Sequence, residues 1–248
     1  MISEYHRPKK IEDAVQLLLR TSPSTIPLAG GSTITHLDQD FAVVDLQDLP
    51  INQIRVGGNQ AEIGAMTTFQ QLMEWDAAPA IVVESAHLSA TYNQRNQVTI
   101  GGAIAVKTAS SAMLAVLLAL DVKLVWEPGG LEVSLGDWLP LRDRKKPGVL
   151  ITQVMVPINV ETAMEVVART PADTPQILVC GCKWSSGRVR LVSMLKNHLP
   201  KLLSDGRDAE QLEQSAMNAD LDSKDYSPEY IQHAYAVLVN RVRSRLVD

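Results

Sequence analysis

Two short segments of the chain combine paired glycines with hydroxyl side chains, and these residue types can bind an anion. The first segment, Leu28 to Thr33, reads LAGGST, and the second, Thr99 to Gly102, reads TIGG. Glycine has no Cβ, so its backbone can adopt positive φ and bring its N–H groups close to a ligand. Two such loops that meet in space could bind a diphosphate from both sides. The alternative is that each glycine pair forms only a tight turn.

Other signatures of nucleotide binding or nucleophilic catalysis are absent from the sequence. No GxGxxG opens a predicted helix, and no GxxxxGK[ST] occurs, so neither a dinucleotide fold of the Rossmann type nor a P-loop is indicated. No GxSxG motif marks a serine nucleophile. No catalytic residue is predicted, and the chemistry of the chain depends on what the two glycine pairs bind.

The cysteines and histidines do not predict a metal site. Cys180 and Cys182 are separated by one residue, and the five histidines form no HxH or HxxxH pair. A structural zinc site or an iron–sulfur cluster usually needs four ligands. The spacing of the two cysteines places them on one face of a predicted strand, where buried structural thiols are expected rather than redox-active ones.

Composition excludes several further classes of protein. The 248 residues are 46% hydrophobic and 21% charged, with a net charge of -5. No apolar run reaches the roughly 18 residues of a membrane helix, and the polar start predicts no secretory leader. The reducing cytoplasm is the expected compartment, because the two cysteines suit no disulfide framework. The acidic balance argues against nucleic-acid binding. The one dense basic run, 142–146, is interpreted as a solvated loop, with phosphate binding as the less favoured alternative.

Periodicity and turn signals predict the elements that position the glycine pairs. The first pair follows an apolar strand end at Ile26 to Ala29, and the second follows an apolar stretch at 98–100. Further expected elements are helices over 11–20, 69–73, 81–88, 110–120 and 209–217, strands over 41–46, 61–65 and 149–156, hairpins over 123–134 and 176–194, and a final helix capped by Ser227 with Pro228 at its first position.

The order of five segments resembles one family across nearly the whole chain. YHRPKKIEDAVQLL, PLAGGST, IGAMTTFQQL, RNQVTIGGAIA and SPEYIQHAYAVLVNRV occur in the order found in the FAD-binding medium subunit of molybdenum hydroxylases, the group of the xanthine dehydrogenase and carbon monoxide dehydrogenase flavoproteins. The resemblance implies an α+β fold. A PCMH-type FAD-binding domain over 1–160, with two α/β lobes at about 1–55 and 56–160, would precede a smaller C-terminal domain of antiparallel sheet and helices over 161–248.

The resemblance also implies a cofactor, FAD, and the residues that hold it. The first loop would contribute Ala29, Gly30, Gly31, Ser32 and Thr33, and the second Thr99, Gly101 and Gly102, with Thr108 further on. The implied function is that of an oxidoreductase subunit in which FAD takes electrons from iron–sulfur clusters and passes them to an external acceptor. The implied partners are a [2Fe-2S] small subunit and a molybdopterin-containing large subunit, where substrate is oxidised.

Several positions depart from the family pattern. After TIGG the family usually has Asn, then Ser-Pro and Asp, whereas this chain has Ala103, Thr108-Ala109 and Ala112. A Tyr that often lies against the flavin ring corresponds here to the stretch around Met164. These departures leave a second hypothesis open: an assembly or scaffold protein that keeps the fold and binds FAD weakly or not at all.

Overall fold

The computed structural model describes residues 1–32, 40–106, 111–142, 147–170, 173–206 and 226–247. The chain forms two compact units. Unit 1 comprises Met1–Asp76, Ala90–Lys107 and Val122–Val156, and unit 2 comprises Ala77–Ser89, Thr108–Asp121 and Pro157–Asp248. The short helix predicted over 209–217 lies outside the described residues.

The helices of the described residues are mostly short. They are α1 (Ile11–Leu18), α2 (Phe69–Glu74), α3 (Ala80–Ser89), α4 (Tyr92–Arg95), α5 (Ile100–Ala105), α6 (Ala112–Ala119), α7 (Leu135–Trp138), followed by a 3₁₀ turn (Leu139–Leu141), and α8 (Pro228–Val247). None of them is both long enough and apolar enough to span a membrane.

A three-stranded parallel sheet opens unit 1. Its strands are β1 (Ile2–His6), β2 (Thr25–Leu28) and β3 (Phe41–Asp45), in the order β1-β3-β2. All five residues of β3 are buried, as a β-branched and apolar central strand predicts. Helix α1 buries Ala14 and Leu18 in a cluster that includes Val44 of β3. The helix predicted over 11–20 is therefore confirmed, and β2 delivers the first glycine pair at its C-terminal end.

A five-stranded sheet forms the rest of the unit 1 framework. Its strands are β4 (Ile54–Gly57), β5 (Gln60–Gly64), β6 (Lys123–Glu127), β7 (Leu131–Ser134) and β8 (Leu150–Pro157), in the order β4-β5-β8-β6-β7. The hairpin predicted over 123–134 is confirmed as β6 and β7. After β5, Thr68 caps α2 in a capping box with Gln71, so the predicted helix start is also confirmed.

Unit 2 is built on a four-stranded antiparallel sheet. Its strands are β9 (Glu161–Val167), β10 (Ile177–Lys183), β11 (Val189–Leu195) and β12 (Lys201–Gly206), in the order β12-β11-β10-β9. The strongest hairpin predicted from the sequence is β10 with β11. Helix α8 packs on the sheet through residues of the predicted apolar stripe, and α6, whose eight residues are all buried, contacts β10 and β11.

The two cysteines lie in the core of unit 2, as predicted. Cys180 and Cys182 are free, fully buried and two residues apart on β10. Burial disfavours a thiolate and raises the pKa of Cys182 to about 12 and that of Cys180 well above its usual value. Both groups are therefore structural thiols. The irregular mixture of helices with largely antiparallel sheets confirms the α+β class.

Candidate functional site

The first glycine pair lies in a loop after β2, where Gly30 is half-buried and Gly31 is exposed. Gly31 has φ +75°, a left-handed conformation that glycine adopts without strain. Gly30 has a different requirement, because a Cβ there would overlap the carbonyl oxygen of Gln97. The backbone N–H groups of Gly30, Gly31 and Ser32 make no hydrogen bond to any described residue. The loop therefore presents three consecutive donors that a ligand can use.

The second glycine pair is not the loop after a strand that the sequence predicts. It forms the first turn of α5, with Thr99 as the N-cap residue. The N–H of Gly102 donates to the Thr99 hydroxyl over 3.1 Å, and the N–H of Gly101 donates to the carbonyl of Ala65 over 2.9 Å. The N–H of Ile100 donates to the Thr67 carbonyl. The amides of this turn are thus already used within unit 1.

Close packing, rather than positive φ, explains the glycines of the second pair. Neither Gly101 nor Gly102 has a positive φ. A Cβ at Gly101 would lie 2.6 Å from the Cβ of Ala65 and 2.8 Å from its carbonyl oxygen, which is too close for any side chain. Glycine at this position lets the start of α5 hydrogen-bond to the segment that follows β5.

The structure brings the two glycine segments together, as the sequence suggested. Gly30 lies against Gln97, two residues before Thr99, and a Cβ at Gly102 would lie 4.0 Å from the Cβ of Ala29. Ala29, Thr99, Gly101 and Gly102 also line one cavity of ≈ 320 Å³. Thr33 and Thr108, the remaining residues predicted for this site, lie outside the described residues.

The cavity of unit 1 is largely apolar and contains an aromatic pair. Trp126 of β6 and Trp138 of α7 meet edge to face with their ring centroids 5.1 Å apart. Both indoles are buried. Such a wall suits an aromatic ring system, and the volume is at the lower end of the about 300–1,000 Å³ of small-molecule sites. The lining residues are Pro27, Ala29, Leu46, Ala65, Met66, Thr99, Gly101, Gly102, Ala105, Val106, Trp126, Trp138, Arg142, Val149, Leu150 and Ile151.

Arg142 corrects the interpretation of the basic run as a solvated loop. Its side chain is buried, with the residue only 5% exposed, and it lines the cavity. Its Nη1 donates a hydrogen bond to the carbonyl oxygen of Val106 over 2.9 Å. Residues 143–146 lie outside the described residues. The available sequence signal was the position of Arg142 directly after the apolar turn Leu139–Leu141, which continues α7.

The positions that depart from the family pattern fall in both units. Ala103 lies on α5 of unit 1, close in sequence to the second glycine pair. Ala112, at the start of α6, and Met164, on β9 opposite Cys180, are buried in unit 2. Ala109 lies outside the described residues. None of these side chains carries a polar group for a hydrogen bond to a cofactor.

Loop amides with no partner among the described residues, next to an apolar and aromatic cavity, fit a nucleotide-binding type of domain. Similarity to known proteins identifies the family within this class. Residues 1–159 match the family described as the FAD binding domain in molybdopterin dehydrogenase. The chain belongs to this family.

Two relatives match part of the chain, and one of them is named as a medium chain. The chain is 36% identical over 143 residues to the uncharacterized protein YgfM of Escherichia coli, covering 56% of this chain and 54% of YgfM. It is 33% identical over 168 residues to the carbon monoxide dehydrogenase medium chain of Afipia carboxidovorans, covering 62% of this chain and 58% of that one. The sequence matches thus span little more than half of these relatives' own length.

Solved structures show the same fold over the whole chain. A chain of carbon monoxide dehydrogenase from Hydrogenophaga pseudoflava, an enzyme form lacking the Mo-pyranopterin moiety, superposes with a TM-score of 0.81 at 22% identity, covering 99% of this chain and 97% of that one. Reconstituted CO dehydrogenase from Oligotropha carboxidovorans gives 0.77 at 26% identity, covering 98% and 96%. The family predicted from the sequence, the fold and FAD as the family's cofactor are therefore confirmed.

The described residues fit FAD in their chemistry. FAD joins two aromatic ring systems through an anionic diphosphate. The N–H groups of Gly30, Gly31 and Ser32 have no partner among the described residues, and diphosphate oxygens can accept hydrogen bonds from them. The cavity beside Ala29 supplies apolar and aromatic surface for a ring. The second glycine pair adds shape rather than donors, because its amides are already bonded.

Proposed function

We propose that the chain is the FAD-binding electron-transfer subunit of an oxidoreductase of the molybdenum hydroxylase type. The observation that carries this proposal is the run of amide donors at Gly30, Gly31 and Ser32, next to the cavity of unit 1. The predicted FAD-binding domain, 1–160, is supported by the family match to 1–159. Helices α3 and α6 fall within that range but belong to unit 2.

The residues of unit 1 would hold the cofactor in complementary ways. The amides of the first loop would donate to the diphosphate, and the exposed Ser32 hydroxyl would add a further donor. The Trp126–Trp138 wall would exclude water from a ring placed in the cavity. Bound flavin supplies the redox chemistry, accepting and releasing electrons, while the protein supplies position and electrostatics. Thr99, Gly101 and Gly102 would shape the cavity from the side of α5.

Partner subunits follow from the same proposal. The relatives from Afipia carboxidovorans and Sulfolobus acidocaldarius are named medium chains, of carbon monoxide dehydrogenase and of glyceraldehyde dehydrogenase. We place this chain in an equivalent assembly, where a [2Fe-2S] small subunit would deliver electrons from a molybdopterin-containing large subunit. The two free thiols suit a reducing compartment such as the cytoplasm.

Flavin analysis of the purified protein tests the proposal. The absorption spectrum and the FAD released on denaturation give the molar ratio of cofactor to chain, and titration of cofactor-free protein with FAD gives the affinity. We expect a ratio near one after reconstitution. A folded chain that is colourless and takes up no added FAD would contradict the proposal and favour the scaffold hypothesis.

A further inference from the structure

We propose that an ionic clamp in unit 2 fixes the chain at the end of α6, where the chain leaves this unit. The clamp consists of Asp121, Arg188, Arg190 and Asp205. Asp121 is the last residue of its unit 2 segment, and the chain continues into unit 1 at Val122. The inference concerns unit 2 alone and does not depend on the proposed function.

The backbone of Asp121 adopts a conformation that suits glycine better than aspartate. Its φ is +52°, in the left-handed region, and it directly follows Leu120, the C-cap residue of α6. Glycine is the usual residue at this position after a helix, because it has no Cβ to strain. Backbone strain of this kind persists where surrounding contacts hold it in place. The contacts of the Asp121 side chain are therefore the place to look for its cause.

The carboxylate of Asp121 meets two guanidinium groups. Arg188, directly before β11, donates from Nη2 to Asp121 Oδ2 over 2.8 Å. Arg190, on β11, forms an ion pair with Oδ1 of the same carboxylate. The Arg190 side chain is only 4% exposed and that of Asp121 24% exposed, so water screens this pair weakly. The end of α6 is thus joined to β11 by charge-assisted contacts.

Asp205 of β12 joins the same two arginines. Arg188 donates to it from Nε over 2.5 Å and from Nη2 over 2.6 Å, which is a bidentate arrangement. Arg190 Nη1 lies 3.3 Å from Asp205 Oδ2. The hydrogen bond from Arg188 lowers the pKa of Asp205, so this carboxylate stays charged at neutral pH. Two positive and two negative charges therefore balance within the clamp.

The balance of the clamp makes its members depend on one another. Removing one partner of a largely buried ion pair leaves a charge without compensation, which destabilises far more than the loss of an exposed pair. Removing the second partner as well relieves that charge, so the two losses do not add. Side chains that merely lie close together would give additive losses.

A double-mutant cycle measured by urea unfolding tests the clamp. Asp121→Asn removes the charge and tolerates a positive φ, and Arg190→Met removes the guanidinium and keeps an apolar stem. We expect the double variant to have a folding equilibrium constant at least about tenfold higher than the two single losses together predict. Lys123→Met and Glu132→Gln form the control cycle, since this pair across β6 and β7 is exposed and should couple by less than about twofold.

Asp121→Gly sets the clamp against the backbone strain. Glycine relieves the left-handed φ, which raises stability, but it also removes the carboxylate, which lowers stability. If the clamp dominates, the midpoint of urea unfolding falls below that of the wild-type protein. A midpoint above the wild-type value would overturn the inference, because Asp121 would then be held by nothing stronger than the strain itself.

Additive losses in the cycle of Asp121 and Arg190 would also overturn the clamp. If these variants do not fold, NMR of the wild-type protein decides. The Nη protons of Arg190 should exchange with water much more slowly than those of Arg55, an exposed residue on β4. Equally fast exchange at both arginines would overturn the inference. None of these measurements involves FAD, so their failure leaves the proposed function standing.

Discussion

Two glycine pairs of unit 1, Gly30-Gly31 and Gly101-Gly102, look alike in sequence and differ in what their amides do. In the first pair, the N–H groups of Gly30, Gly31 and the following Ser32 have no bond to a described residue. In the second pair, Gly101 and Gly102 both donate within the protein, to Ala65 and Thr99. The first pair is thus available to a ligand, and the second pair holds the cavity together.

This difference shows that a glycine pair does not by itself reveal whether its amides are open to a ligand or bonded within the protein. At Gly101 the neighbour is the protein's own backbone at Ala65, and at Gly30 it is the carbonyl of Gln97. Of the four glycines in these two pairs, only Gly31 combines a left-handed φ with open surroundings. The first glycine segment is therefore expected to bind the cofactor, and the second to shape the site. The following substitutions test this difference.

The largest effect is expected for Gly101→Ala. The new Cβ would lie 2.6 Å from the Cβ of Ala65, so α5 must move and the hydrogen bond from the Gly101 N–H to the Ala65 carbonyl is lost. We expect the free energy of unfolding in urea to fall by about 3 kcal/mol. Gly57→Ala is the matched control, because a Cβ at Gly57 meets nothing within 4 Å. A loss no larger than in this control would contradict the packing role.

Gly31→Ala should reduce the free energy of unfolding less than Gly101→Ala does, and it should weaken FAD binding more. The left-handed φ of +75° disfavours a Cβ by about 1–2 kcal/mol, although the nearest atom, Leu28 Cδ1, is 3.8 Å away. Relief of this strain would turn the amides away from their arrangement, so FAD binding should weaken as well. Gly31→Asn, which tolerates this conformation better, should retain more of both properties. Loss of stability with fully retained FAD affinity would remove Gly31 from the proposed site.

Thr99→Val should reduce stability by about 1 kcal/mol, the usual effect of removing an N-cap. The hydroxyl accepts from the Gly102 N–H, and Val keeps the shape without the acceptor. FAD affinity should change by less than about threefold. Thr99→Ser keeps the cap and serves as the control in thermal unfolding and FAD titration. A large loss of FAD affinity with unchanged stability would show instead that Thr99 contacts the cofactor directly.

Ser32→Ala should produce the smallest change. The side chain is exposed, so the melting temperature should not move. Loss of one solvent-exposed hydrogen bond, about 1 kcal/mol, should weaken FAD binding about fivefold. Fluorescence titration of the wild-type and variant proteins measures this ratio. An unchanged affinity would show that Ser32 contributes only its backbone N–H.

Much of the framework was predictable because local signals agree with the final contacts. The apolar run of β3, the Thr68 cap of α2 and the β10–β11 turn each specify their element through neighbouring residues. The apolar stripe of α8 and its start, where Ser227 accepts from the N–H of Tyr230, were predicted equally well. The convergence of the two glycine segments was also anticipated from the sequence.

The sequence could not predict which glycine N–H groups are already hydrogen-bonded within the protein, because these bonds join segments that are distant in sequence. The N–H of Gly101 bonds to Ala65, which lies 36 residues earlier in the chain, and nothing within TIGG indicates this neighbour. The burial of Arg142 was not predictable for the same reason. Its run of charges suggested solvent, whereas α7 and the following turn carry it into the wall of the cavity.

Hydrogen–deuterium exchange of the glycine amides, with and without FAD, tests the central claim most directly. In the cofactor-free protein we expect fast exchange at Gly30, Gly31 and Ser32, and slow exchange at Gly101 and Gly102, whose N–H groups are already bonded. Saturating FAD should slow exchange at the first pair by at least about tenfold and change the second pair little. Protection by FAD at Gly101 and Gly102, with none at Gly30 to Ser32, would contradict the account.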